Sequence, residues 1–392
     1  MENSTSFELF INSKPLYYKE IDHERVHHAY RLLKPHIRRP LTVHIVGTNG
    51  KGSTGRIMAT LLSKTGKRVG HFSSPHILKF NERIWIDGYD ISDKALEISH
   101  SRLYTVLGEE MSASLSYFEY TTLLALVATE EVDVMILEAG LGGEFDATNV
   151  VDKELSVITP IGLDHQAFLG ETITEIALTK LNSIQYKALL ARQSYSEVYE
   201  VADSIGFEKR AHISSISRDE NLELLSITEA LGWAYYLYEN TLLATKALDI
   251  LGLSYRPIHL KEVRLFGRFY PLLSNVRIDV GHNLLAGKAL EKALRKEYNN
   301  EKIILVYNSL DDKDYKGILK LFKPLLKCVE IIELESNRAV EVNKLKSVLE
   351  QLEIDYREFS SIKSESNYFV FGSFYVVEAF LKKIKFNIKN QK

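Results

Sequence analysis

At 392 residues the chain is too long for one ordinary domain, and two are expected. Its composition, 45% apolar and 26% charged with a net charge of −3, is that of a globular protein and excludes a general electrostatic pull toward nucleic acid or membrane. A single cysteine, Cys328, excludes an internal disulfide or a cysteine-rich zinc site and fits a reducing cytoplasm.

The first ten residues are polar, with Glu2 and Glu8, and lack the basic start and apolar run of a signal peptide. Apolar stretches elsewhere are far shorter than a bilayer requires, so a cytoplasmic protein with no membrane partner is expected. Residues 23–34 pattern as an amphipathic helix, followed by Pro35 and Pro40. Residues 41–66 then read as strand, glycine-rich turn and helix, with the turn at the carboxyl end of the strand. Further strands are expected at 69–72, 134–138 and 155–161, with helices between them. That alternation predicts a mostly parallel, doubly wound sheet. Residues 255–274, with two prolines and two arginines, read as a connection. A second alternation follows: strands in 275–280, 303–308, 328–334 and 367–373, with a helix over 286–298 and another ending near Leu326. The expectation is therefore an α/β protein. A P-loop ATPase domain with a mostly parallel sheet occupies 1–270, and a smaller Rossmann-like α/β domain occupies 275–392. Two such domains normally hold a small molecule in the cleft between them.

The turn after the first strand is Gly47-Thr48-Asn49-Gly50-Lys51-Gly52-Ser53-Thr54. Glycines let backbone N–H groups close around phosphate oxygens, and the start of the helix adds a favourable dipole. Lys51 can meet the β- and γ-phosphates, and a hydroxyl from Ser53 or Thr54 can approach Mg²⁺. Gly52 stands between the lysine and the hydroxyls, a departure from the strict Walker spacing. Glu138 ends an apolar run, which puts a carboxylate at the carboxyl edge of a sheet, where it can hold a hard cation.

These motifs resemble the folate branch of the Mur ligase superfamily, the dihydrofolate and folylpolyglutamate synthases. GTNGKGST is similar to the superfamily phosphate loop. Ser-Pro-His and Asn-Glu-Arg-Ile within 71–88 resemble the folate-ligase signature. Residues 138–149 resemble its Glu-x-Gly-Leu-Gly-Gly-x-x-Asp-Ala-Thr-Asn, with Glu144 where an arginine is often found. The resemblance implies Ser74, Glu138 and His165 as Mg²⁺ ligands. It also implies Lys180 as a lysine carbamylated to N6-carboxylysine that organises a second Mg²⁺. Phe118, Glu119, Tyr120 and Thr121, with Phe145, Asp146 and Ala147, would flank the pterin pocket. Asn240 would contact adenine, Arg268 the ATP phosphates, and Asp279 and His282 would complete the nucleotide site. The groups implied as catalytic are Lys51, Lys180 and His282. Asp312-Lys313-Asp314 and Gly372-Ser373 resemble further family motifs, in family order. The segment Ile21-Asp22-His23-Glu24-Arg25 is shorter than its usual counterpart, which often helps bind dihydropteroate.

The activity so implied is ATP-dependent ligation of L-glutamate to dihydropteroate or a reduced folate through an acyl phosphate, with two Mg²⁺ and ATP as co-substrate, by a monomer with no nucleic-acid partner. Two alternatives are a ligase adding an amino acid to a UDP-linked cell-wall precursor and a nucleotide-binding protein that is no ligase. The first normally needs an N-terminal UDP domain, and the segment before the phosphate loop is too short for one. The second leaves the motifs at 279–282 and 312–314 without a purpose.

Overall fold

The computed structural model describes residues 6–15, 22, 24–217 and 220–386. Ile21 and His23 of the shortened segment lie outside the described residues. The chain forms two compact units, Met1–Ile227 with Glu239–Val263, and Thr228–Tyr238 with Arg264–Lys392. The sequence reading kept 228–238 in the first domain. The structure groups it with the second, because Ala234 and Tyr236 pack into that unit's apolar core. Among the described residues no helix is long and apolar enough to cross a membrane.

In the first unit, β1 (Leu41–Val46), β2 (Val69–Phe72), β3 (Ile84–Ile86), β4 (Tyr89–Asp90), β5 (Val134–Glu138), β6 (Leu155–Ile158), β7 (Lys187–Leu190) and β8 (His212–Ser215) form one sheet in the order β4-β3-β2-β5-β1-β6-β7-β8. All are parallel except β3 and β4, which fold back as a meander on the edge. The central strands are near-continuous apolar runs because helices cover both faces, as parallel sheets require. The helix Lys51–Ser63 buries Ile57, Met58, Leu61 and Leu62 against this sheet. Ser116 and Glu119 form a reciprocal capping box at the start of the helix Tyr117–Ala128, and Thr172 and Glu175 do the same for the helix Ile173–Leu181.

Strands expected at 69–72 and 134–138 are present, and the one expected at 155–161 stops at Ile158, before Pro160. Prolines cannot continue a central ladder. The edge strands β4 and β8 are short and partly exposed, and β3 is only three residues long, so all three carry little periodic signal.

In the second unit, β9 (Tyr270–Leu273), β10 (Val276–Ile278), β11 (Ile303–Tyr307), β12 (Leu326–Ile331), β13 (Tyr356–Glu358) and β14 (Tyr368–Phe371) lie in the order β13-β12-β11-β14-β10-β9. Only β9, which pairs with β10, runs antiparallel. The stretch read as a connection thus supplies an edge strand, and Pro271 sits on it where a missing N–H is tolerated.

The helix Lys51–Ser63 approaches β2 so closely that a Cβ at Gly55 would collide with the His71 ring. Overpacking of this kind costs on the order of 1–3 kcal/mol. Gly55→Ala should therefore lower unfolding stability by about that amount in urea titration, with an unchanged slope.

Candidate active site

Strand register assembles the site. Ile45 of β1 is paired with Glu138 of β5, and Val46 of β1 with Ile158 of β6. The loops that leave these three central strands therefore start side by side at the carboxyl edge of the sheet, where open α/β sheets bind ligands. The phosphate loop leaves β1. The Thr48 and Asn49 amides donate to the Pro160 carbonyl at 3.0 and 3.3 Å, and the Thr48 hydroxyl donates to the Gly162 carbonyl at 3.1 Å, so the loop is tied to the segment after β6. Gly50 caps the following helix with φ +88°, and a Cβ there would lie 2.6 Å from Asn240 Oδ1, so the position suits glycine alone. Lys51 folds back over the loop, its Nζ 3.2 Å from the Gly47 carbonyl and 3.3 Å from that of Thr48.

The hydroxyls of Ser53 and Thr54 are buried and have no hydrogen-bond partner, as is the amide nitrogen of Asn240. Buried polar groups are normally paired. Orphans at the mouth of a phosphate loop fit a magnesium–phosphate group and a nucleotide as their missing partners. Glu138 is buried at the end of β5 and accepts from the Ser74 amide at 3.3 Å. Hard oxygen donors of this kind suit Mg²⁺. The loop carrying Ser74 is closed by Glu82, whose carboxylate accepts from the Ile77, Leu78 and Lys79 amides at 2.7 to 2.8 Å. Glu82 thus ties the Asn-Glu-Arg segment to the turn that follows Ser-Pro-His. His165 has φ +53° at the start of the short helix Gln166–Leu169, and its amide donates to Asp164 Oδ1 at 2.9 Å.

Lys180, in the last turn of the helix Ile173–Leu181, is 4% exposed and donates to the Gly47 carbonyl at 3.0 Å. Burial, reinforced by the Lys51 charge, pushes its amine down to about 7, against weaker support from Asp164 and Asp146. A lysine with a substantial neutral fraction near pH 7 is a nucleophile.

Of the residues expected beside a pterin, Phe118 is half-buried, its ring 5.9 Å from that of Phe72, and Phe145 is 56% exposed. Tyr120 and Thr121 lie wholly inside: the tyrosine hydroxyl is 2.7 Å from His100 Nδ1, and the threonine hydroxyl donates to the Tyr117 carbonyl. Glu119 caps its helix and pairs with Arg25 at 2.8 Å. Asp146 and Ala147 are buried, and the Asp146 carboxylate accepts from the Leu141 and Thr148 amides.

Sequence reasoning missed a small pocket lined by Pro160, Ala191, Arg192, Ile216, Glu239, Asn240 and Leu242. Its residues come from the ends of separate strands and from a distant helix, so no local pattern marks it. It also missed Arg56, which stacks 4.9 Å from the Trp85 ring with Glu138 among its nearby charges.

In the second unit, Asp279 is buried and accepts from the Tyr236 hydroxyl at 2.9 Å and from the Phe269 and Gly281 amides at 2.7 Å. Burial raises its carboxyl while the nearby Arg268 opposes the rise. Arg268 lies 5.2 Å from the Phe374 ring. His282 is partly exposed, with Nδ1 3.3 Å from the Val280 carbonyl. Asp312 pairs with Arg338 at 3.0 Å, and Asp314 and Ser373 cap helices.

A glycine-rich phosphate loop on the central strand of a parallel sheet, with a carboxylate on the neighbouring strand, defines a P-loop nucleotide-binding protein. No family model matches the sequence. The chain is 31% identical to the dihydrofolate synthase/folylpolyglutamate synthase of Haemophilus influenzae, over 87% of this chain and 88% of that protein. It is 36% identical to the crystal structure of the Helicobacter pylori folylpolyglutamate synthetase, with a TM-score of 0.80 over 98% of this chain and 100% of that one. It is 26% identical to the bifunctional folylpolyglutamate synthase/dihydrofolate synthase from Yersinia pestis, solved with AMPPNP and a Mn ion, with a TM-score of 0.81 over 97% of each chain. The chain belongs to the dihydrofolate synthase/folylpolyglutamate synthase family of ATP-dependent ligases. Membership sets aside both the cell-wall ligase and the non-ligase alternative.

The depressed Lys180 amine has a thermodynamic consequence. Its folded value of about 7 lies below the ordinary 10.5, so between those two pH values the unfolded chain binds more protons than the native one. The cost of burying Lys180 is full below pH 7 and is relieved as pH rises toward 10.5. In CO₂-free buffer, Lys180→Met should be more stable than the parent at pH 6. The gap should close by pH 10, as read by urea denaturation.

Proposed function

We propose that this protein uses ATP to join L-glutamate to dihydropteroate and to folates that already carry glutamate. The observation that carries the reading is the convergence on Gly47. Its carbonyl receives both Lys51 and Lys180, beside two buried hydroxyls without partners and next to the strand that ends in Glu138.

A carboxylate does not react with an amine until it is activated. The acceptor's carboxylate attacks the γ-phosphorus of ATP, ADP leaves, and an acyl phosphate forms. The glutamate amine then attacks the acyl carbon and phosphate leaves. Amides of residues 47–54 cradle the phosphates, and Lys51 offsets charge on the transferring group, which is most of what phosphoryl transfer asks of a protein. Ser53 or Thr54, with Ser74, Glu138 and His165, would hold magnesium. The ion supplies positive charge to the phosphate oxygens when bound. Lys180 is poised to add to CO₂ through its neutral amine, losing one proton and becoming a carbamate that would serve a second magnesium. Arg268, Asp279 and His282 are assigned to the nucleotide, with Arg268 suited to phosphate by its planar fork. Asn240 and the pocket beside it suit the nucleobase, and the exposed faces of Phe118 and Phe145 suit the pterin.

Glutamate-dependent ADP formation is expected with both dihydropteroate and tetrahydrofolate; ADP formation with neither would overturn the reading. Lys51→Ala should lower kcat on the order of 10²–10³-fold, the cost of losing one charge-stabilising donor. Lys180→Ala should lose activity and regain part of it with added formate or acetate. Failure of rescue, together with an intact parent mass lacking one CO₂, would remove the carbamate from the mechanism.

A further inference from the structure

Behind the loop 139–146 the first unit buries a line of polar groups that the reaction above does not use. β1 carries a histidine, His44, in a run that is apolar but for Thr42, and it is 1% exposed. Its Nε2 lies 2.7 Å from the Thr148 hydroxyl and its Nδ1 lies 3.2 Å from Lys153 Nζ. The Thr148 hydroxyl donates in turn to Asp146 Oδ1 at 2.5 Å. Donor chemistry fixes the direction. As an ammonium, the form that the Asp146 charge favours, Lys153 can only donate, so His44 then accepts at Nδ1 and carries its proton on Nε2. Thr148 accepts from His44 and gives its own proton to the carboxylate.

Lys153 reaches the same loop by a second route. It donates to Asn149 Oδ1, and Asn149 Nδ2 donates to the Glu144 carbonyl at 2.8 Å. Asp146 itself spans the loop, accepting from the Leu141 amide at 2.8 Å and the Thr148 amide at 2.9 Å. Both routes end in the segment between Glu138 and Phe145.

We propose that Lys153, His44 and Thr148 are positioning residues, a buried line that keeps the Asp146 carboxylate ionised and so fixes the loop between the metal-side Glu138 and the pterin-side Phe145. The roles of Glu138 and Phe145 rest on the reading above; the line itself does not. Charge supports the assignment. Burial raises the Asp146 carboxyl, and a carboxylate so placed is stable only with donors and a cation near it. Burial pushes Lys153 down to about 7, with Asp146 and Asp152 holding it up and Lys209 pressing it down. His44 is kept neutral by burial and by the Lys153 charge, as its acceptor role demands.

A double-mutant cycle tests this, with Lys153→Met and Asp146→Asn as the two arms. In the parent, Lys153→Met should lower kcat/KM for the folate acceptor about 10–100-fold, the loss expected when an outer partner of a site is removed. It should leave the Kd for ADP within about twofold, since the phosphate loop is untouched. In the Asp146→Asn background, where no buried anion needs a cation, Lys153→Met should change kcat/KM by less than about twofold. An equal loss in both backgrounds would mean that Lys153 merely packs, and no loss in the parent would mean that it does not act; either overturns the proposal. The same cycle run on unfolding equilibria needs no substrate. Coupling there without any folate turnover would keep the line and remove the ligase reading, and additive unfolding effects would remove the line. Thr148→Val, nearly isosteric and without a hydroxyl, should reproduce Lys153→Met.

Discussion

The pairing of three parallel strands is the constraint on which the rest depends. Because Ile45 faces Glu138 and Val46 faces Ile158, the phosphate loop, the Glu138 carboxylate and the Thr159–Pro160 turn must begin at one edge of one sheet. A one-residue slip would turn every side chain of a strand to the opposite face, so the apolar faces that bury β1, β5 and β6 also enforce the position of Glu138. Lys180 completes the arrangement from outside the sheet. Its Nζ bonds to Gly47, and its amine is pushed down to about 7 by the same burial that holds its helix in place.

Stability and chemistry oppose each other at this edge. Lys180 is buried deeply enough that the native state gives up its proton near neutrality. The hydroxyls of Ser53 and Thr54 are left without partners. Each is a local cost that a sequence selected for folding alone would remove. Their concentration around one loop is what separates a binding site from an ordinary sheet edge.

Much of the fold was legible because the central strands are continuous apolar runs and their loops carry glycine-rich punctuation. The phosphate loop and Glu138 could be read from a glycine-rich turn and a strand end, whereas Lys180, inside the helix Ile173–Leu181, was implied by the family resemblance alone. What escaped were short edge strands and contacts made across the sequence. β9 was read as a connection because Pro271 hides it. The assignment of 228–238 to the second unit depends on Tyr236 meeting Asp279, forty-three positions away. His44 and Lys153 gave no signal, since a histidine in an apolar strand and a lysine after a short turn become informative only when their rings and amines are seen in line. Tyr120 and Thr121 show the reverse: they fit a motif expected beside a pterin, yet their polar groups are used inside the core.

The central claim is that the acceptor's carboxylate takes the γ-phosphoryl group before glutamate arrives, and oxygen tracing tests it directly. Dihydropteroate labelled with ¹⁸O in its carboxylate would be turned over with ATP and glutamate, and the released phosphate analysed by mass. The account predicts one ¹⁸O carried into phosphate for each amide bond formed from fully labelled acceptor. Unlabelled phosphate accompanying normal product would contradict it, because the carboxylate would then have been activated by some route other than phosphoryl transfer.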